Sequence, residues 1–301
     1  MFNKKPLLRF SLGDADTTTR AEMKDVKFRR FIQMAKMSIY SFQRFFDADF
    51  LLGFNGLNED RFHKFWKDMK PDLPKPIKIV NQRKYRNPYP TFFPIGGVWW
   101  KWVPFRFDSG RTEISIDTDI LCLSEPKSWH KWLESDVPLL IPYEAIPQIC
   151  EPTCGDVWQH IVLKNRRSLN CGIIGQKAGT DLSERFFGLT ELVDYGSYNG
   201  NFVTEQGLFN ILFYSLQDEG VEHFSLPYEQ NMQAKHLSYY LAAGEKVETA
   251  HFTSRSKFVF YSLYDRFKDR IDQKISDVEL LSSLIEHTSL IVDKMGEIRN
   301  A

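Results

Sequence analysis

The stretch Glu113-Ile-Ser-Ile-Asp117-Thr-Asp119-Ile-Leu-Cys-Leu123 places the carboxylates of Asp117 and Asp119, separated by one residue, within a mainly apolar run. Residues i and i+2 of an extended strand share a face, so we predict that Asp117 and Asp119 point the same way at one strand end. Neighbouring like charges repel and are costly to desolvate, and a cation bound by both removes that cost. Mg²⁺ and Mn²⁺ bind such carboxylates and complete their coordination with water or phosphate oxygens. The stretch therefore predicts a divalent-metal site for a ligand that carries phosphate.

The composition is that of a protein with a substantial core, because 43% of the 301 residues are hydrophobic. The net charge is zero, but residues 1–110 hold 21 basic and 11 acidic residues, and residues 111–301 hold 18 and 28. A basic half favours an anionic ligand, such as a nucleotide, a phospholipid or a nucleic acid; a solvated surface is an equally weighted alternative. The four cysteines lack CxxC or zinc-finger spacing, which argues against a redox motif or structural zinc.

No apolar run reaches the ~18 residues that a membrane-spanning helix requires, so we expect no transmembrane segment. The first residues lack the apolar region of a signal peptide. We therefore expect a cytoplasmic protein, and leave open a peripheral contact with a membrane.

Strands and helices alternate along the chain, which is typical of βαβ units and a parallel sheet. The predicted strands cover residues 7–12, 49–55, 77–80, 113–123 and 168–175. Residues 139–143 form another apolar stretch, and residues 250–252 are a predicted strand end. The predicted helices cover residues 28–46, 60–68, 126–133, 182–195, 205–216 and 275–292. We predict an α/β fold, with a mostly parallel central sheet flanked by helices over residues 1–262 and a helical C-terminal extension over residues 263–301.

The position of the paired aspartates matters more than their spacing. The same spacing recurs in Asp14-Ala-Asp16 and Asp47-Ala-Asp49, so the spacing alone is a weak signal. Asp117 and Asp119, however, lie within a predicted strand that follows several βα units, and open α/β sheets bind ligands at the carboxyl ends of their strands. This setting favours a functional site over a solvated turn.

Several further segments occur in a fixed order: Ser38-Ile-Tyr-Ser41, Asp117-Thr-Asp119, Leu169-Asn170-Cys-Gly172, Glu205-Gln206 with Asn210, and His251-Phe-Thr-Ser-Arg-Ser-Lys257. Together they resemble the motifs of GT-A glycosyltransferases, in particular the retaining family of glycogenin and the bacterial lipopolysaccharide galactosyl- and glucosyltransferases. The paired aspartates resemble the DXD motif of that family. Two departures are Glu205, where aspartate is usual, and Gly207, where the family has a second aspartate.

The resemblance implies a Rossmann-like GT-A fold and transfer of a sugar from a nucleotide diphosphate sugar to an acceptor hydroxyl, with retention of the anomeric configuration. It implies that Asp117, Asp119 and His251 bind Mn²⁺ or Mg²⁺. A nitrogen ligand favours Mn²⁺ over Mg²⁺. The acceptor is left open among a glycan, a lipid-linked sugar, a protein and a modified nucleic-acid base.

Several residues are candidates for contact with the donor. The resemblance implies that Lys257 adds positive charge beside the diphosphate, that Asn170 and Gly172 lie by the donor sugar, and that Gln206 lies beneath the anomeric carbon with Glu205 beside it. Gln206 is a poor nucleophile, which favours front-side attack, and Glu205 is the alternative covalent or basic group. The remaining donor candidates are Asp14, which follows the first strand, and Thr118, between the aspartates. Lys101 and Arg106 precede the metal strand and are candidates for binding phosphate or sugar hydroxyls.

Three other functions remain open from the sequence. The basic half could bind nucleic acid, although the chain contains no helix-turn-helix, RNP or zinc motif. A metal-dependent nucleotidyltransferase would also use paired aspartates, but typically with a third acid and a phosphate-binding glycine loop. A catalytically inactive relative is the third, and the intact Asp117, Asp119, His251 and Lys257 argue against it.

Overall fold

A computed structural model describes residues 4–12, 21–55, 59–69, 72–89, 97–144, 154–193, 203–234 and 246–252. The predicted domain boundary at residue 262, the extension over residues 263–301 and the predicted helix over residues 275–292 lie outside these ranges. Among the helices of the described part, none combines the length and apolar character that crossing a bilayer requires.

The strands are β1 Leu7–Leu12, β2 Asp49–Phe54, β3 Lys78–Asn81, β4 Glu113–Asp117, β5 Ile120–Cys122, β6 Leu139–Pro142, β7 Ile173–Gln176, β8 His223–Leu226, β9 Asn231–Gln233 and β10 Thr249–His251. The α-helices are α1 Ala21–Gln43, α2 Glu59–Asp68, α3 Lys127–Glu134, α4 Ser183–Leu189 and α5 Val203–Asp218. Short 3-10 turns cover Gln82–Lys84, Gly97–Trp102, Gly155–Val157, Ile161–Leu163 and Thr190–Leu192. The helix predicted over residues 182–195 is thus a short α-helix followed by a 3-10 turn.

The central sheet has seven strands in the order β3-β2-β1-β4-β7-β6-β8. All neighbouring pairs are parallel except the two that involve β7, which runs antiparallel to β4 and β6. The mostly parallel sheet predicted from the sequence is confirmed. Because β7 is reversed, it begins at the edge where the other six strands end, and we call this edge the carboxyl edge.

A second, three-stranded sheet with the order β5-β10-β9 adjoins the first. The prediction of one strand over residues 113–123 is therefore wrong. The chain leaves the central sheet at Asp117, turns through Thr118 and Asp119, and enters the second sheet at Ile120. The strand breaks because β5 pairs with β10, which comes from a distant part of the sequence.

Helix α1 contacts strands of both sheets. Apolar residues that recur every three or four positions, such as Ile32, Ile39 and Phe42, are buried against the central sheet, as their spacing predicts. On the same helix, the Ser38 hydroxyl donates to the Ile120 carbonyl at 2.5 Å, and the Ser41 hydroxyl accepts from the Cys122 amide at 2.9 Å. The Ser-Ile-x-Ser segment therefore holds β5 in place.

The other side of the central sheet is covered by a second apolar cluster. Trp102, Phe105, Phe186 and Phe209 are buried and packed ring against ring. The tryptophans of the Gly97–Trp102 turn therefore belong to the core. This packing fixes the turn that carries Lys101 next to the carboxyl edge.

Candidate active site

The paired aspartates lie where the two sheets meet. Asp117 is the last residue of β4, and its backbone amide donates to the Gly172 carbonyl at 2.8 Å. The Asp119 carbonyl accepts from the Phe252 amide at 2.8 Å, just after β10. Backbone pairing therefore fixes one aspartate to the start of β7 and the other to the end of β10.

His251, the last residue of β10, completes a three-residue cluster with these aspartates. One potential ligand atom from each residue lies within 4.8 Å of the others. The His251 Nε2 atom is 3.1 Å from Asp119 Oδ1 and 3.7 Å from Asp117 Oδ2. Two carboxylates and an imidazole form a donor set that suits Mn²⁺ and other divalent ions. The residues that the sequence predicted as metal ligands thus come together with suitable chemistry.

Lys101 neutralises the other side of the cluster. Its ammonium group is buried and donates to Asp117 Oδ1 at 2.7 Å and to the Cys171 carbonyl at 2.9 Å. Burial alone would lower the pKa of Lys101, but the carboxylates of Asp117 and Glu205 outweigh it and raise the pKa. Lys101 therefore stays charged, and it occupies one oxygen of Asp117 while the other oxygen faces His251.

The imidazole of His251 is stabilised in its protonated form by the same carboxylates. Burial would lower the pKa of His251, but the charge and hydrogen bond of Asp119 and the charge of Asp117 raise it above the ordinary 6.5. A proton and a metal ion would compete for this imidazole, because metals bind the neutral ring.

Gly172 makes room for the histidine. A Cβ atom at this position would lie 2.7 Å from His251 Cε1 and 2.8 Å from Asn170 Oδ1. The sequence analysis linked the glycine to close approach of a donor sugar, and the structure adds a steric reason within the protein itself. Asn170 supports the same turn, because its Oδ1 accepts from the Gly172 amide at 2.8 Å.

Glu205 lies on the first turn of α5, in a buried position behind the cluster. Its carboxylate accepts a short hydrogen bond from the Trp102 indole and lies 3.7 Å from the Lys101 ammonium. Burial, together with the charge of Asp117, raises the pKa of Glu205 to about 7, although Lys101 and Trp102 oppose the shift. The side chain is only 3% exposed, so it has little access to a substrate.

Gln206, next to it, faces a carboxylate that the sequence analysis did not single out. Glu144 follows β6 and accepts hydrogen bonds from Gln206 Nε2 at 3.2 Å, from Asn170 Nδ2 at 2.9 Å and from the amide of Gln233. The sequence contained one signal for Glu144, namely an acidic residue directly after a buried apolar strand. The sequence contained no signal for Gln233, which lies at the end of β9, a strand that the sequence analysis did not predict.

Two further residues of the α5 motif serve the fold. The side-chain amide of Asn210 bonds both the backbone amide and the carbonyl of Leu169, at 2.7 and 2.9 Å. Gly207, which departs from the family pattern, packs against the Cys154 carbonyl so closely that a Cβ atom would clash with it. An aspartate could not fit there in this structure, which gives the departure a physical reason.

The remaining predicted residues separate into three groups. Asp14 and Lys257 lie outside the described residues. Thr118 lies in the turn between β4 and β5 and is 8% exposed. Arg106, considered with Lys101 as a phosphate ligand, instead donates to the Lys177 carbonyl at 2.9 Å, beyond the far end of β7 from the carboxyl edge.

Comparison with known proteins gives structural but not sequence matches. No protein-family model matches the chain, and a search of curated proteins returned no match. The structure is similar to that of WbbM, a bifunctional glycosyltransferase, with a TM-score of 0.53 and 14% identity, over 94% of this chain and 52% of WbbM. It is also similar to the galactosyltransferase LgtC, solved with donor and acceptor sugar analogues, with a TM-score of 0.50 and 12% identity, over 92% of this chain and 95% of LgtC.

These likenesses concern the fold. This chain spans about half the length of WbbM and nearly the whole of LgtC. Identities of 14% and 12% are too low to transfer an activity, but the alignments cover almost all of this chain. The chain therefore has the GT-A fold of these glycosyltransferases, as its sequence motifs predict.

Proposed function

We propose that this protein is a metal-dependent glycosyltransferase that moves a sugar from a nucleotide diphosphate sugar to an acceptor hydroxyl, with retention of the anomeric configuration. The observation that carries the proposal is the convergence of Asp117, Asp119 and His251 at the carboxyl edge of a GT-A fold. Open α/β sheets bind their ligands at this edge. Paired carboxylates with an imidazole fit an ion that also contacts a diphosphate.

In this proposal, Asp117, Asp119 and His251 would hold Mn²⁺ or Mg²⁺. The bound ion would supply Lewis-acid stabilisation of the diphosphate as the glycosidic bond breaks. Lys101 holds Asp117 in position through Oδ1 and adds a buried positive charge beside the diphosphate. Thr118 and Lys257 are proposed donor contacts, and Asp14 a contact to the base or ribose.

The two candidate catalytic residues differ in how they can act. Glu205 is enclosed by Trp102 and Lys101, which supports a structural and electrostatic role over covalent attack. Gln206 is 9% exposed and lies beside Glu144, and we propose that it faces the anomeric carbon. A neutral amide is a weak nucleophile, so front-side attack follows, in which the departing phosphate accepts the proton of the acceptor hydroxyl.

The test is a thermal-shift panel of nucleotides and nucleotide sugars, each with and without Mn²⁺. A ligand that binds only the folded state raises the melting temperature. We expect one nucleoside diphosphate and its sugar derivatives to raise it, and to do so more strongly with Mn²⁺. Asp119→Asn should abolish the Mn²⁺-dependent part. No response to any nucleotide diphosphate sugar at millimolar concentration would contradict the proposal.

A matched control is available on the same chain. Asp47 belongs to another Asp-x-Asp segment, but its side chain is 80% exposed and pairs with Lys5. Asp47→Asn removes the same charge away from the carboxyl edge, so the Mn²⁺ response should be unchanged. An equal loss in both variants would show that the response reflects net charge.

The products separate the proposed activity from its alternatives. Sugar transfer releases a nucleoside diphosphate, whereas a nucleotidyltransferase consumes a nucleoside triphosphate and releases pyrophosphate. NMR of the product then gives the anomeric configuration, and an inverted product would contradict retention. Binding of nucleic acid at low salt, followed through its salt dependence, tests the alternative that the basic half binds nucleic acid.

The acceptor class is a glycan, a lipid-linked sugar, a protein or a modified nucleic-acid base, and the cytoplasmic location stays a prediction.

A further inference from the structure

Glu144 is a buried carboxylate surrounded by amide groups. It is 5% exposed, and its two oxygens accept from the NH₂ groups of Asn170, Gln206 and Gln233. These three residues come from separate parts of the fold: the turn before β7, the helix α5 and the strand β9. The backbone of Glu144 is also fixed, because its amide donates to the Ser168 carbonyl at 2.9 Å.

A carboxylate imposes a direction on every amide that contacts it. A carboxamide has a donor end and an acceptor end, whereas an ionised carboxylate only accepts hydrogen bonds. The NH₂ end of each amide must therefore face Glu144, and the carbonyl end must face elsewhere. Asn170 agrees independently, because its carbonyl oxygen accepts from the Gly172 amide at 2.8 Å.

For Gln206 this direction has a chemical consequence. We propose that Glu144 is a positioning residue that turns the Gln206 amide so that its carbonyl oxygen, and not its NH₂ group, faces the donor sugar. This inference rests on the proposed function. As the glycosidic bond breaks, positive charge develops at the anomeric carbon, and an amide oxygen stabilises that charge while an NH₂ group would oppose it.

Hydrogen bonds within and beside helix α5 also fix the backbone of Gln206. The backbone carbonyl of Gln206 accepts from the Asn210 side chain at 2.8 Å, and Asn210 also holds Leu169, next to Asn170. The Cα position of Gln206 is therefore fixed relative to the turn that contacts Glu144. With the backbone held in this way, the hydrogen bond from Nε2 to Glu144 sets the direction of the side-chain amide.

The test is Glu144→Gln, which keeps the shape but replaces one acceptor oxygen by an NH₂ group. One of the three amides must then turn or lose its hydrogen bond. With the donor identified by the thermal-shift panel, we expect kcat to fall by up to ~100-fold, as for other small misplacements of reacting groups, with the donor KM changed about threefold or less. In a Gln206→Ala background, the same substitution should change kcat about twofold or less.

Glu248→Gln is the matched control. Glu248 is also a buried carboxylate, but it accepts from the amide and hydroxyl of Ser128 and has no contact with Gln206 among the described residues. This variant should lower the melting temperature, and any effect on kcat should be the same with Gln206 or Ala at position 206. Equal losses from Glu144→Gln in both backgrounds would overturn the proposal.

A second measurement separates this inference from the proposed function. In protein labelled with ¹⁵N-glutamine, the side-chain NH₂ signal of Gln206 is identified by its loss in Gln206→Ala. We expect Glu144→Gln to shift that signal and speed its exchange with solvent, whether or not a donor is bound. An unchanged signal overturns the positioning role even if sugar transfer is observed. A changed signal without any sugar transfer supports the positioning role and contradicts the proposed function.

Discussion

Substituting Gly172 by alanine tests how the histidine is held in the candidate metal site. The new Cβ atom would lie 2.7 Å from His251 Cε1, whereas ordinary contacts begin at 3.4 Å. The imidazole must therefore retreat by about 0.7 Å, or the turn that carries Asn170 must move. Either shift disturbs a ring whose Nε2 lies 3.1 Å from Asp119 Oδ1.

The size of the effect follows from the overlap. Forcing a methyl group into a packed site costs about 1–3 kcal/mol. If that strain falls on His251, affinity for the ion drops by about 5- to 150-fold, since 1.4 kcal/mol corresponds to tenfold. We expect Mn²⁺ affinity, measured by electron paramagnetic resonance titration, to fall within that range, with a modest decrease in melting temperature.

Gly188→Ala provides the control, because a Cβ atom there would meet no atom within 4 Å apart from its chain neighbours and the nearby backbone of its own helix. Gly188 lies in α4, where alanine is the better helix former, so stability should stay equal or increase and Mn²⁺ affinity should not change. A second check is Gly172→Ala in a His251→Ala background, where the strain on the ring no longer exists. Unchanged Mn²⁺ affinity in the single variant Gly172→Ala would refute the steric reasoning.

The remaining predictions concern the buried charges. Lys101→Met removes the cation from between Asp117 and Glu205, and it should cost about 3–5 kcal/mol in the free energy of unfolding, measured in urea. Glu205 has a raised pKa, so its contribution to stability is present below pH 4.5 and is lost as pH rises to about 7. The melting temperature of Glu205→Gln relative to wild type should therefore increase across this window. The pKa of His251 is also raised, so its contribution to stability is present below pH 6.5 and is lost as pH rises through the raised value. As the pH rises through this pKa, the His251 imidazole loses its proton, and Mn²⁺ affinity should increase by up to about tenfold per pH unit.

Each of these predictions has an outcome that contradicts it. A Lys101→Met variant as stable as wild type would mean that the buried carboxylates do not require the cation. A constant difference in melting temperature between pH 4.5 and 7 would show that Glu205 does not titrate there. For His251, the comparison is His251→Gln, which should bind Mn²⁺ more weakly and without that pH dependence; an equal slope in both proteins would exclude the imidazole as its source.

The sequence predicted the central sheet well where the pattern was local. The first three strands and α2 follow from short apolar runs and from three- and four-residue periodicity, and they agree with the structure to within one residue. Helix α1 is also found, but it begins at Ala21, seven residues before the predicted start, and ends at Gln43, three residues before the predicted end. The grouping of Asp117, Asp119 and His251 was predicted through family motifs, because a histidine that far along the chain has no local signal.

The errors arise where distant pairing decides the structure. In the run 113–123, apolar residues lie on both sides of Asp117-Thr-Asp119, and a single strand through the pair fits this local pattern. The break exists because residues near 250 pair with β5. Strands β8 and β9 are short and depend on their neighbours for stability. Glu144 was missed because its three amide partners become adjacent only in the folded chain.

The second sheet also determines when the candidate metal site is complete during synthesis. Asp119 and His251 lie 132 positions apart; Asp119 directly precedes β5, and His251 ends β10, the neighbouring strand of the small sheet. During synthesis, the ribosome releases β10 only after every strand of the central sheet has been made. A chain that ends before Thr249 therefore contains all seven strands of the central sheet but only two of the three proposed metal ligands, and we expect it to bind the ion more weakly than the finished protein.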